Sequence, residues 1–234
     1  MPERFDKSEH PRRAFLLSAL ATGLLGCSAA PAWAQVFGRR PRPLPPGESF
    51  YELTGQVSVN GRPATAQTRV GPGDTVETGP SSRTIFVLGS DAFLLRERGR
   101  FEIPGAVAGF MRLATGALLS VFGRGDEKRL RVPTATIGIR GTGLYLEADP
   151  ERGYVCNCYG DMVITAADDP SASERVVSRH HETPRYVLAS GQRIRPAPFI
   201  NHSDLELMLI ETLVGRVTPF PLFDEDYGGA RRRY

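Results

Sequence analysis

The sequence predicts a mainly β protein, an antiparallel-rich sandwich, roll or solenoid-like domain followed by one C-terminal helix, and three observations carry that expectation. From Phe50 to about Ile164 the apolar residues come in short alternating runs, the period of half-buried strands rather than helices. Gly, Pro, Asn and Asp punctuate those runs, and Asn60-Gly61 between two of them is a strong hairpin signal. Ten or so short strands with tight turns fit only a few all-β architectures.

The first runs are Glu52 to Val59, Thr68 to Val70 and Thr75 to Thr78, with turns at Asn60-Gly61 and Gly71-Pro72-Gly73-Asp74. Thr84 to Leu88, Ala92 to Arg96, Arg100 to Ile103 and Met111 to Leu113 follow. Ala117 to Phe122, Arg129 to Val132, Thr136 to Ile139 and Leu144 to Ala148 come next, and then Tyr154 to Cys158 running on to Met162 to Ile164. Near the end, Ser203-Asp204-Leu205-Glu206 reads as a capping box opening a helix that runs to about Val214 and stops at Gly215. That helix is apolar around most of its circumference, so it should be buried on two sides and close the open end of the β-domain.

The ends read differently from the middle. Arginines precede an apolar run from Ala14 to Gly26, and Ala32-Trp33-Ala34 offers a cleavage site, so residues 1–34 form an export signal cut after Ala34. Arg12-Arg13-Ala14-Phe15-Leu16 resembles the twin-arginine export motif. Leu24-Leu25-Gly26-Cys27 resembles a lipobox, which leaves open the alternative of a lipid on Cys27 and a membrane-tethered lipoprotein. Residues 35–49 are a Pro- and Arg-rich linker, 50–165 the β-domain, 166–218 an extension carrying the helix, and 219–234 a mobile tail. The leader's apolar run falls short of the roughly 20 residues that cross a bilayer and no later run comes close, so the mature chain has no transmembrane span. Apolar residues make up 41% of the chain and the net charge of +3 is spread over both signs, so a nucleic-acid partner has no electrostatic footprint.

Several of these runs together carry a family resemblance. Gly55-Gln56-Val57 with Asn60-Gly61, then Gly73-Asp74-Thr75-Val76-Glu77-Thr78-Gly79-Pro80-Ser81-Ser82, opens as FecR-like domains do. Gly116-Ala117-Leu118-Leu119-Ser120-Val121-Phe122 and the stretch from Val132 through Arg140-Gly141-Thr142 follow in the family's order, so about 110 residues of the mature chain resemble the FecR-like family. The resemblance implies an exported module that senses or binds outside the cytoplasm through contact with an envelope or inner-membrane protein. In the family a membrane helix and a short cytoplasmic segment controlling a sigma factor usually accompany the domain; this sequence shows neither, so a partner would carry any message onward. The glycines and prolines of these motifs suit turns. Gly138 to Gly143 leads into a strand-like Leu144-Tyr145-Leu146 rather than a helix, which argues against a phosphate loop.

The resemblance leaves one group of residues unexplained. Every cysteine and histidine after Ala34 falls between Cys156 and His202: Cys156, Cys158, His180, His181 and His202. Cysteines two apart on a strand share a face, so both sulfurs can reach one ion while Asn157 turns away. Adjacent histidines on an extended segment point oppositely, so only one of His180 and His181 should join them. Two thiolates with one or two imidazoles suit zinc, with copper(I) as the rival. A strained, easily reduced disulfide between Cys156 and Cys158, or two small buried thiols with no shared job, are the other readings.

Three functions follow: a non-catalytic binding or sensing module of FecR type, a zinc or copper protein centred on the Cys and His cluster, and an enzyme. The last has no support, because Gly-x-Ser-x-Gly, His-Glu-x-x-His and informative carboxylate pairs are all missing.

Overall fold

The structure is a computed structural model that describes residues 41–105, 109–125 and 127–220. Arg12 and Arg13, Cys27, Ala34 and the tail beyond Phe220 lie outside the described residues. The first seven strands are β1 (Phe50–Thr54), β2 (Val57–Val59), β3 (Arg62–Pro63), β4 (Thr75–Thr78), β5 (Arg83–Leu88), β6 (Asp91–Leu95) and β7 (Arg100–Glu102). Asn60 and Gly61 both take positive φ and join β2 to β3, as a two-residue hairpin turn requires. The expected strand from Thr68 to Val70 does not form. Thr68 bonds back to Thr65, and the Val70 amide donates to Ser49 Oγ, so those groups are satisfied locally instead of in a ladder.

Long strands organise the middle of the chain: β8 (Met111–Val121), β9 (Lys128–Val132), β10 (Ala135–Ala148) and β11 (Arg152–Ala166). Two pairs of runs that looked separate are each one bent strand. β8 bends at Gly116, whose φ of +81° no other residue adopts easily and where a Cβ would lie 2.6 Å from the Gly99 Cα. β10 is interrupted between Arg140 and Leu144, and the bend lets its two halves take different neighbours. Its first half pairs with β9 and its second half with β8, while β11 runs antiparallel to both halves.

After β11 the same sheet continues through β12 (Ser173–Ser178), β13 (Arg185–Leu188) and β14 (Ile194–Pro196), and the chain then enters helix α1 (Asp204–Leu213). Among the described residues the class is therefore mainly β with one helix, in a 14-stranded sheet whose only parallel pair is β8 with β9. One contiguous core takes side chains from β1, β2 and every strand from β4 to β13, which a single sheet achieves only by curling around its own inner face. Phe50, Phe86, Phe93, Phe101 and Phe122 form its aromatic centre, with ring centroids 5.1–6.2 Å apart.

The outer face of the central strands is dry as well. Residues 92–95 and 153–159 are buried without interruption, so both faces are covered. Helix α1 packs against β6 and β8 and covers part of that second face, where Leu94 and Leu119 alternate with core residues. It thus lies on a face of the sheet instead of closing an open end. Ser203 and Glu206 form the expected capping box, and Gly215 takes φ +73° just beyond the helix. The Pro-rich stretch expected as a spacer is tied to this unit from residue 41 onward, where the Leu44 amide donates to the Leu213 carbonyl.

Candidate metal centre

Cys156 and Cys158 stand on the outer face of β11, both 0% exposed. Alternation along the strand puts both sulfurs on one side and turns Asn157 to the other, where its amide donates to the carbonyls of Gly160 and Val176. His181 follows β12 in a turn, with φ +53° and its amide bonded to the Cys158 carbonyl. His202 stands just before α1, after Asn201 at φ +58°. Positive φ at non-glycine residues costs about 1–3 kcal/mol and concentrates at functional sites. The two histidines that reach the cysteines are each placed by such a residue.

One donor atom from each of Cys156, Cys158, His181 and His202 lies within 4.8 Å of the other three. Cys156 Sγ is 3.5 Å from His181 Nδ1, Cys158 Sγ is 3.5 Å from His202 Nε2, and the two ring nitrogens are 3.1 Å apart. A tetrahedron built from ordinary zinc–sulfur and zinc–nitrogen bonds has S···N edges of about 3.6 Å and N···N edges of about 3.3 Å. The two S···N edges and the N···N edge given above lie close to those values.

The hydrogen bonds around the rings set the tautomers. His181 Nε2 is 2.9 Å from Asp204 Oδ1, and a carboxylate accepts, so Nε2 carries the proton and Nδ1 keeps its lone pair. His202 Nδ1 is 2.6 Å from the Ile200 carbonyl, which leaves the lone pair on Nε2. Both lone pairs therefore face the sulfurs and each other, an arrangement that a cation at their centre satisfies. That tautomer pair is the one a bound cation requires. Without an ion the protons sit differently, because burial lowers His181 but its bonds to Asp204 and Cys156 outweigh it and raise it. Burial pushes the Cys156 thiol up, while hydrogen bonds from Cys158 and from the protonated ring nitrogens of His181 and His202 hold it well below the usual thiol range. Burial and then the neighbouring Cys156 push Cys158 well above that range. The first thiolate thus forms readily among these partners, and the second proton would leave on exchange for a metal.

His180 does not reach the sulfurs. Its Nε2 meets the other oxygen of Asp204 at 2.9 Å, and with His181 and Asp204 it forms a second group of metal-ligand type. Asp204, which sequence reasoning passed over as a site residue, thus links both histidines. Its position as first residue of a capped helix was the available signal, since that end of a helix favours an acid. Burial raises the Asp204 carboxyl, and its hydrogen bond to His181 reverses the effect and leaves it lowered. A carboxylate behind a ligating imidazole orients the ring and raises its basicity. Replacing Asp204 with Ala is therefore expected to weaken zinc affinity about 10- to 100-fold, measured by chelator competition, with the fold kept.

The surroundings are closed. Tyr145 stacks on His202 at 4.4 Å, and Phe199 lies 4.5 Å from both His181 and His202. His181 is 3% and His202 5% exposed. Arg96, at the end of β6, donates to the Asn201 carbonyl at 2.7 Å and to Glu206 at 2.9 Å, fixing the start of α1 over the site. Four protein donors in a dry shell leave no position for substrate, which is the form of a structural site.

No family model matches this sequence, and no curated protein matches it. Two crystal structures of a protein from Parabacteroides distasonis ATCC 8503, provisionally described as an anti-sigma factor, are similar to it at 11% identity, with TM-scores of 0.45 and 0.44. The similarity covers 53% of this chain and 58% of that one, so the chain spans less than two thirds of that protein's length.

Proposed function

We propose that this chain is a non-catalytic binding module of the cell envelope, of FecR-like type, whose C-terminal half is held by a structural zinc site at Cys156, Cys158, His181 and His202. The observation that carries the metal reading is the convergence of four donor atoms within 4.8 Å of one another, with two S···N separations of 3.5 Å and an N···N separation of 3.1 Å. Mixed thiolate and imidazole donors in a closed shell favour zinc over copper(I) as the resident ion. The leader and the ordered run of FecR-like motifs support export and an envelope or inner-membrane protein partner. Among the described residues no helix is long and apolar enough to cross a membrane.

The test is elemental analysis of folded protein purified from the envelope fraction, with thiol counting and intact mass on the same sample. One zinc per chain, lost when Cys156 and Cys158 are replaced, is the expected result. Sub-stoichiometric metal with both cysteines oxidised would remove the metal reading. Copper that exchanges within minutes would make the ion cargo instead of a brace. The mass also separates cleavage after Ala34 from a lipid on Cys27.

A further inference from the structure

On the other side of His180 from the metal centre the structure opens into a cleft of about 1180 Å³. It lies between the segment following β8, the bend of β10, the turn after β12 and the chain leaving α1. Phe122, Tyr159 and Phe220 supply aromatic surface, and Arg124, Arg179 and Arg216 supply guanidinium groups. We propose that this cleft binds a small organic anion, with a carboxylate or phosphate head held by the arginines and a flat apolar body against the aromatic rings.

The charges in the cleft are not balanced from within. Arg216 Nε donates to Glu211 Oε2 at 2.6 Å and Nη1 to the Ser90 carbonyl, while Nη2 is buried with no partner. Glu211 is 3% exposed and its other oxygen accepts from the Tyr159 hydroxyl, so its acceptors are already used. Glu182 accepts from the Arg179 backbone amide, 3.1 Å away. The side chains of Arg124 and Arg179 have no acidic partner among the described residues. The two exposed guanidiniums of Arg124 and Arg179 thus line a volume that suits a small molecule, and planar bidentate donors suit carboxylate or phosphate.

Gly141 forms part of the same wall. It takes φ +60°, and a Cβ there would lie 3.3 Å from Arg124 Cγ, so glycine lets the Arg124 stem lie across the bend of β10. The Arg140-Gly141-Thr142 stretch thereby shapes the cleft through a side chain laid over its glycine, without being a phosphate loop. The turn carrying Arg179 also carries His181, so the proposed metal would hold one wall of the cleft in place.

The experiment is calorimetric titration of the full chain with phenyl phosphate, with inorganic phosphate and phenol as its two halves, and with metal content measured on the same sample. Saturable binding of phenyl phosphate below millimolar concentration is expected, tighter than either half. The double variant Arg124→Gln/Arg179→Gln should weaken it about 10- to 100-fold, the range expected for losing hydrogen bonds to a charged group. Arg129→Gln, an exposed change on β9, should leave it unaltered. No saturable binding by a folded, zinc-replete sample overturns the proposal, as does equal affinity for inorganic phosphate, or equal loss in the Arg129 variant. Binding by a folded sample that never held metal supports the cleft and sinks the zinc reading, so the two failures are distinguishable.

Discussion

If the proposed zinc is bound, stripping it from the folded chain with a chelator is expected to lower the melting temperature by about 8–16 °C. A ligand that binds only the native state stabilises it by about 4 kcal/mol when its free concentration is a thousandfold above Kd. For a domain of 150–250 residues each kcal/mol is about 2–4 °C. Cys156→Ser should melt near the chelated wild type in zinc-replete buffer and should no longer respond to chelator. The physical reason is the separation of the ligands along the chain. Cys156 and Cys158 lie on β11, His181 in the turn after β12 and His202 at the start of α1, so one ion would tie the paired strands β11 and β12 to the start of the helix. A chelator shift of the same size in wild type and variant would show that the thiols only pack.

The second large effect is expected in the aromatic core. Phe93 is 0% exposed, with ring centroids 5.1 Å from both Phe86 and Phe101 and 5.8 Å from Phe122. Truncating such a ring removes its burial and leaves a cavity that a rigid sheet closes poorly, so Phe93→Ala should cost about 3–5 kcal/mol. Denaturant unfolding measures the loss, with Phe93→Leu retaining most of the stability. Zinc content at room temperature should not change, because Phe93 points into the core and the ligands lie on the other face of the sheet. A Phe93→Ala protein that also lost zinc would show that the core and the metal centre unfold as one unit.

Much of the fold was legible as local pattern. Alternation placed β4, β5, β6, β9 and β11 to within a few residues, and the capping box and Gly215 placed the two ends of α1. The failures have local causes too. β8 and β10 read as two strands each because Gly116 and the 140–143 stretch resemble turns, whereas in the sheet they are bends at which a continuous strand changes partners. The Thr68 to Val70 run has strand-like composition, yet its groups are claimed by Thr65 and Ser49. β12, β13 and β14 carry exposed, polar-rich faces, and their signal is weak without the β11 and β13 edges they pair against.

By itself the sequence determined that the protein is mainly β, that Cys156 and Cys158 share a face, and that only one of two adjacent histidines can join them. These properties follow from strand period and side-chain type, which nearby residues settle. Only the tertiary structure decided that His181 is that histidine, that His202 meets it from 21 positions away, and that Asp204 stands behind both His180 and His181. It also decided that Arg124, Arg179 and Arg216 surround one cleft. The reason is the same in each case: a ligand set or a pocket is made where segments far apart in sequence are brought together by a curled sheet, and no local pattern encodes how far the sheet curls.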